Sequence, residues 1–283
     1  MAPRRFACIK GPSLPSDSTT GRGNRANWSG WQQPTLPTAR ACTKTESAPL
    51  FDNTPSWYES IPVIDHLKRL ATELIGTLTL CLIAILAMSG TVQGDAGRLV
   101  AGWAYGLGVL AVMTFFGTAS PVHLNPAVTL AIYATGRGSL VRVLACISGQ
   151  LLGGCLAGLV TLWLLAGEGT AMGAPVGIFT KTDSLKTVVI EGFLTLIWAG
   201  AFLACVFGGK GSDTVPLRLG LAVTGATLAG LPFTGAAMNP ARALASAIAT
   251  LDFGTLWLFV AGPLAGGAVA GLIGRKLLPE GPA

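Results

Sequence analysis

Hydrophobic residues gather in six long stretches, at about 67–89, 97–117, 139–166, 184–207, 214–231 and 254–277. Each is near the roughly 20 residues that a helix needs to cross a ~30 Å hydrocarbon core, so the pattern predicts six spanning helices. Two shorter apolar stretches follow Asn125 and Asn239 and run about ten residues each, to Gly136-Arg137-Gly138 and to Asp252. They are too short to span and predict half-helices that enter from opposite sides. The expected fold class is an all-α membrane protein with six transmembrane helices and two re-entrant half-helices.

The two halves repeat each other. Glu73, in Glu-Leu-Ile-Gly-Thr-Leu, precedes Asn125 by 52 residues, and Glu191, in Glu-Gly-Phe-Leu-Thr-Leu, precedes Asn239 by 48. Both halves place an intramembrane carboxylate, a helix, a short Asn-Pro-Ala helix and a Gly-rich helix in the same order. Three spanning helices per unit is an odd number, so the second copy lies inverted, the symmetry that puts a binding or permeation site near the midplane. The first repeat is expected over about 65–166 and the second over about 184–278, within one membrane domain of residues 63–283.

Composition supports this reading: 51% of residues are hydrophobic and only 11% charged, with 38 glycines and a mean hydropathy of +0.60, where a soluble chain of this size needs far more charge. The net charge of +6 does not point to nucleic acid, because 7 of the 19 Lys and Arg lie in the first 60 residues and the rest are scattered. Six cysteines include no CxxC pair, and Cys81, Cys146, Cys155 and Cys205 fall in apolar stretches, which indicates packing rather than a disulfide frame or a zinc site. Residues 1–62 are rich in Pro, Ser, Thr and Gly and read as a disordered basic tail. A cytoplasmic tail is the expected role, an organellar transit peptide the alternative; Asn27-Trp28-Ser29 matches a glycosylation sequon that a cytoplasmic tail would not present. With the N-terminus inside, Lys68, Arg69, Arg137, Arg142, Lys210, Arg218, Arg275 and Lys276 fall on the cytoplasmic side, against Arg98, Lys181 and Lys186 outside. That bias places both termini in the cytoplasm. The plasma membrane is the expected location, an intracellular membrane the alternative.

The chemistry sits in the two boxes Asn125-Pro126-Ala127 and Asn239-Pro240-Ala241. Asn is a strong N-cap and Pro suits the first helical position, so each box can begin a helix. Each half-helix then brings about half a positive charge into the membrane. If the Asn carbonyl oxygen caps the helix, its NH₂ group is left to face a lumen. Two such ends meeting midway supply paired donors within a field that repels cations. An Arg at membrane depth is costly and lines water or protein, so Arg242 is a functional candidate by default.

At these residues the chain resembles the aquaporin, or major intrinsic protein, family over about residues 65–278. The motifs that carry the likeness are Ser120-Pro121-Val122-His123-Leu124-Asn125-Pro126-Ala127-Val128-Thr129 and Thr234-Gly235-Ala236-Ala237-Met238-Asn239-Pro240-Ala241-Arg242. Pro121 stands where the usual first motif has Gly. The resemblance implies a passive channel for water, a homotetramer with one pore per subunit embedded in the bilayer, no cofactor and no metal. It also implies an outer constriction of four side chains, which ungapped spacing from the boxes assigns to Tyr105, Thr227, Ala236 and Arg242. Strict water channels typically carry His where Thr227 stands, so a wider filter is expected, open to hydrogen peroxide, ammonia, urea or glycerol. Ala243, where glycerol channels carry Asp, and Ala247 favour the water-channel branch; Val260 stands where that branch commonly has an aromatic.

The resemblance implies that Glu73 and Glu191 anchor the box loops rather than carry protons, and His123 is read as a hydrogen-bonding support rather than a metal ligand. Gly149, Gly153, Gly154 and Gly158, and likewise Gly262, Gly266, Gly267 and Gly271, recur at the spacing that lets helices cross closely. A proton-coupled transporter with inverted repeats and a non-conducting junctional protein are the competing readings. No nucleophile and base pair in the membrane region favours an enzyme.

Overall fold

The computed structural model describes residues 62–90, 94–117, 122–208 and 212–279. The tail expected over residues 1–62, the sequon at Asn27, and Ser120, Pro121 and Lys210 lie outside the described residues, Pro62 excepted. The described helices are α1 (Pro62–Ser89), α2 (Gly94–Phe116), α3 (Pro126–Ala134), α4 (Leu140–Leu165), α5 (Ser184–Phe207), α6 (Val215–Gly230), α7 (Pro240–Thr250) and α8 (Leu258–Leu277). Five of them, α1, α2, α4, α5 and α8, are long and apolar enough to cross a membrane. The sixth predicted span is α6, which has only 16 residues. Proline sets both of its limits: Pro216 fits its first turn, and Pro232 lies just past its end, where a helix cannot readily continue. The half-helices α3 and α7 have 9 and 11 residues, which at 1.5 Å per residue rise about 14 and 17 Å, roughly half the hydrocarbon core.

Packing follows the sequence repeat. α1 lies along α4 and α5 along α8; α1 meets α2 as α5 meets α6; and α2 meets α6 across the centre. The half-helices exchange partners, with α3 packed on α8 of the other repeat and α7 on α4. Neither half can therefore bury its own short helix, and the two must fold as one body.

Glycine permits these crossings by absence of a side chain. A Cβ at Gly149 or Gly153 would fall 2.5 or 2.4 Å from a backbone oxygen of α1, and one at Gly262 or Gly266 would meet α5 at 2.7 or 2.0 Å. The second glycine face of each helix carries the half-helix: a Cβ at Gly154 would lie 2.5 Å from the Ala241 carbonyl, and one at Gly267 2.3 Å from that of Ala127. In hydrocarbon there is no water-driven force between helices, so this closeness supplies the packing energy. The outward faces are apolar, with Leu152, Trp163, Phe193, Leu217 and Leu272 among the exposed side chains. Such a belt marks an integral membrane protein whose solvent is lipid.

Gly154→Ala or Gly267→Ala should destabilise the fold by about 1–3 kcal/mol, the usual cost of overpacking. Gly225→Ala, at a glycine with open space around it, should leave the melt unchanged. Thermal unfolding of the purified protein in detergent separates the two outcomes.

Candidate functional site

Each box begins from a backbone that turns the wrong way for an L-residue. Leu124 has φ 59° and Met238 φ 53°, both left-handed, immediately before an extended Asn125 (φ −156°) and Asn239 (φ −145°). Left-handed leucine and methionine cost of order 1 kcal/mol each and persist only where the surroundings hold them. What holds them is a carboxylate. Glu73 accepts the backbone N–H groups of His123 and Leu124 at 2.7 and 2.8 Å, and Glu191 accepts those of Ala237 and Met238 at 3.1 and 2.7 Å. Successive N–H groups in such a turn form a concave anion site, here filled from within the chain.

Each carboxylate has a third donor. Gln150 Nε2 donates to Glu73 at 2.9 Å and also to Thr129 Oγ1 at 2.9 Å, while Thr234 Oγ1 donates to Glu191 at 2.6 Å. His123 Nδ1 lies 3.1 Å from Thr129 Oγ1, and its ring meets Phe202 edge to face. Cys146, Glu73 and His123 bring ligand-type atoms within 4.8 Å of one another. The carboxylate and imidazole atoms of that trio are already engaged in the hydrogen bonds above.

The two asparagines face each other across the centre. Asn125 Oδ1 accepts from Ala127 N at 2.9 Å and caps α3, and Asn239 Oδ1 accepts from Ala241 N at 2.9 Å and caps α7. Their amide groups then cross over: Asn125 Nδ2 donates to Met238 O at 2.9 Å, and Asn239 Nδ2 donates to Leu124 O at 2.8 Å. The sequence reading left the whole NH₂ group to a lumen. The structure uses one N–H of each to join the boxes, which leaves one per asparagine.

Arg242, one turn into α7, is fully buried. Its Nη2 donates to Gly173 O at 3.1 Å and contacts Met88 Sδ. Nε and Nη1 have no protein partner. Gly173 O is shared with Ser246 Oγ at 2.9 Å. Gly173 itself is at φ +65°, and a Cβ there would come within 2.8 Å of Ile85 Cα, so both conformation and space call for glycine.

Tyr105, on α2, is buried with its ring edge on Trp198 at 5.8 Å. Its hydroxyl has no protein hydrogen-bond partner, yet it lies within electrostatic reach of Arg242 and beside the Asn239 side chain. Ala236 (φ 47°) is buried, and a Cβ added at Gly230 of α6 would come within 3.0 Å of its own Cβ. Thr227 is buried one turn earlier on α6 and returns its hydroxyl to Val223 O at 2.7 Å. Near the first box a cavity of about 140 Å³ is lined by Arg69, His123, Thr129, Arg137 and Arg142 among others.

Four contributors had not been singled out from sequence. Gln150 is a fully buried amide midway along an apolar helix, a type of residue that by default has a partner or a role, and that signal was available. Gly173 carries none, because the stretch between α4 and α5 has no periodicity that fixes where it folds, and Ser246 and Met88, on α7 and α1, meet Gly173 and Arg242 only through tertiary contact.

A profile of the major intrinsic protein family matches residues 60–274. The chain is 35% identical over 224 residues to the lens fiber major intrinsic protein of Gallus gallus, covering 73% of this chain and 79% of that one. It is 31% identical over 228 residues to aquaporin Z of Rhodopseudomonas palustris, covering 75% and 94%. Among solved structures it is similar to the aquaglyceroporin from Plasmodium falciparum, with a TM-score of 0.63 and 18% identity over 75% of this chain and 96% of that one, a likeness of fold.

Gln150→Leu should cost about 1–3 kcal/mol, because it strips donors from a buried carboxylate and a buried hydroxyl without replacing them. The thermal midpoint in detergent reads this. An unchanged midpoint would show that Gln150 is not needed to hold the first loop.

Proposed function

The chain belongs to the major intrinsic protein family and is a membrane channel for water or small solutes; on that premise, we propose that it conducts water with small uncharged solutes such as hydrogen peroxide, ammonia, urea and glycerol, and excludes protons and ions. Proteins of this family are channels rather than enzymes. The observation that carries the reading is the crossed pair of asparagine bonds, which brings two helix N-termini head to head.

The physical consequence is a fixed positive potential where the pore crosses the midplane. A water there accepts from one remaining N–H of Asn125 and one of Asn239. Its oxygen is then oriented toward both, and its own hydrogens point away along the pore in opposite directions. A chain of waters so oriented cannot pass a proton through the centre, and a cation meets the same positive ends. Arg242 adds a full charge with two unpartnered donors, Nε and Nη1. The Tyr105 hydroxyl interacts with the Arg242 charge and with the Asn239 side chain, which extends the polar rail from the arginine to the box.

Solute range follows from the filter we assign to Tyr105, Thr227, Ala236 and Arg242. Thr227 turns its only hydroxyl back to its own helix, so it presents a methyl where an imidazole would present a donor. Ala236 adds little bulk. Tyr105 narrows the passage from the other side. The passage is therefore wider and less polar than a four-point water filter. Glu73, Glu191 and His123 hold the loops, since both carboxylates are saturated by donors in place. A proton-coupled transporter would need one of those carboxylates free. The same reading includes a basic N-terminal tail ahead of a channel domain at 63–283, both termini in the cytoplasm, and a homotetramer in the plasma membrane.

In proteoliposomes studied by stopped-flow light scattering, the protein should raise permeability to water and to at least urea or glycerol; flux equal to that of empty vesicles would sink the reading. Thr227→His should lower glycerol and urea flux by roughly tenfold or more while water flux persists, because it narrows the filter and adds a donor. Arg242→Val should raise proton conductance by roughly tenfold or more, since it removes a full positive charge from the assigned filter. Mercurials should not act at the filter of the native chain, where Ala236 stands, and Ala236→Cys should make the channel sensitive to them.

A further inference from the structure

We propose that Met88 is a modification site at the Arg242 end of the pore, where a hydroperoxide oxidises its thioether to the sulfoxide and the product closes the passage. The proposal rests on the reading of Arg242 as pore-lining.

Met88 lies in the last turn of α1 and is partly exposed. Its sulfur touches the guanidinium of Arg242. Ile85, one turn earlier on the same helix, is packed against Gly173, whose carbonyl Arg242 also binds, so this end of α1 lies beside the arginine. Thioether sulfur is a weak acceptor, and it stands at the most donor-rich group in the passage. Arg242 Nε and Nη1 are buried with no protein partner, so they are the donors left on this guanidinium for a small molecule rich in acceptor oxygens.

Hydrogen peroxide is such a molecule. The sulfur lone pair attacks one peroxide oxygen, the O–O bond breaks, and the other oxygen leaves as hydroxide. The proton on the transferred oxygen passes to that hydroxide and gives water. The sulfur is oxidised by two electrons and the peroxide reduced by two, with no further reagent. The guanidinium N–H groups stabilise the hydroxide as its charge develops, which is electrostatic assistance to the step.

The product differs from methionine in the property the site responds to. A sulfoxide is polar and offers a strong acceptor oxygen on a side chain that was apolar. Held against Arg242, that oxygen takes the N–H groups that passing solutes would use, through charge-assisted hydrogen bonds. Its bulk is added at the same point. Methionine sulfoxide reductase reverses the change.

The test uses the full chain in proteoliposomes treated with hydrogen peroxide, with peptide mass spectrometry and water flux read on one preparation. Met88 should gain one oxygen about tenfold faster than Met172, the partly exposed methionine of the α4 to α5 connection, a modest fraction of what one positioned donor can supply. Arg242→Val should remove that preference. Water flux should fall by roughly tenfold as Met88 is converted, the scale of one charge-assisted bond denied to the solute, and return after treatment with the reductase. Met88→Leu should lose the peroxide response, whereas Met172→Leu should keep it. Equal oxidation rates at Met88 and Met172, or full conversion of Met88 with unchanged flux, would overturn the proposal. Native vesicles that conduct nothing before treatment would instead sink the channel reading, while the two oxidation rates would still decide whether Arg242 directs peroxide to Met88.

Discussion

A bilayer offers no water to an exposed backbone group, and that constraint governs the centre of this protein. A helix that starts midway through the membrane presents unpaired N–H groups there, each of which costs several kcal/mol if left in hydrocarbon. Asn125 and Asn239 resolve this by accepting one such group with the side-chain oxygen and donating the side-chain nitrogen to the opposite loop. The carbonyls that receive those donors, Leu124 O and Met238 O, belong to the two left-handed residues. The strain at Leu124 and Met238 thus aims each carbonyl at the other box's amide. Cutting one link leaves both a donor and an acceptor without their protein partner at the buried centre of the fold.

The rest of the structure serves that junction. Two buried carboxylates fix the strained turns, one through Gln150 and Thr129 and the other through Thr234. Two glycine-faced helices bring each half-helix against the opposite repeat, so that α3 rests on α8 and α7 on α4. The inverted repeat is therefore more than a record of duplication. Only an antiparallel pair of half-helices can point both N-termini at the midplane, and only exchange of partners between repeats locks them end to end.

Much of this was legible in the sequence. Apolar length gave the spans, and the spacing from Glu73 to Asn125 and from Glu191 to Asn239 gave the repeat. The family is shown by its profile over residues 60–274. What sequence could not give was set by through-space contact. α6 has 16 residues rather than a full span, because prolines at both ends overrule its hydropathy. Half of each asparagine amide is spent on the other box, a contact between residues 113 and 115 apart in the chain. Gly173 reaches Arg242 from a connection whose path depends on tertiary packing against Ile85. A local pattern carries no information on such a meeting.

On the proposed reading, exclusion of charge and choice of solute are separable in this architecture, and they have different tolerances for change. That reading puts the barrier to charge in backbone dipoles, which follow from the fold itself, and in Arg242, which is braced by Gly173. It puts solute range in side chains that take no part in the crossed bonds between the boxes: Ala236 is a methyl group, Thr227 bonds within its own helix, and Tyr105 packs its ring edge on Trp198. Exchanging Ala236 or Thr227 would then alter the width and polarity of the passage without removing a bond between the two boxes. On that reading, a chain of this kind would shift from water toward larger neutral molecules by a few substitutions at the filter, while the dipole part of its barrier to ions stays with the helix ends that the crossed asparagine bonds hold together.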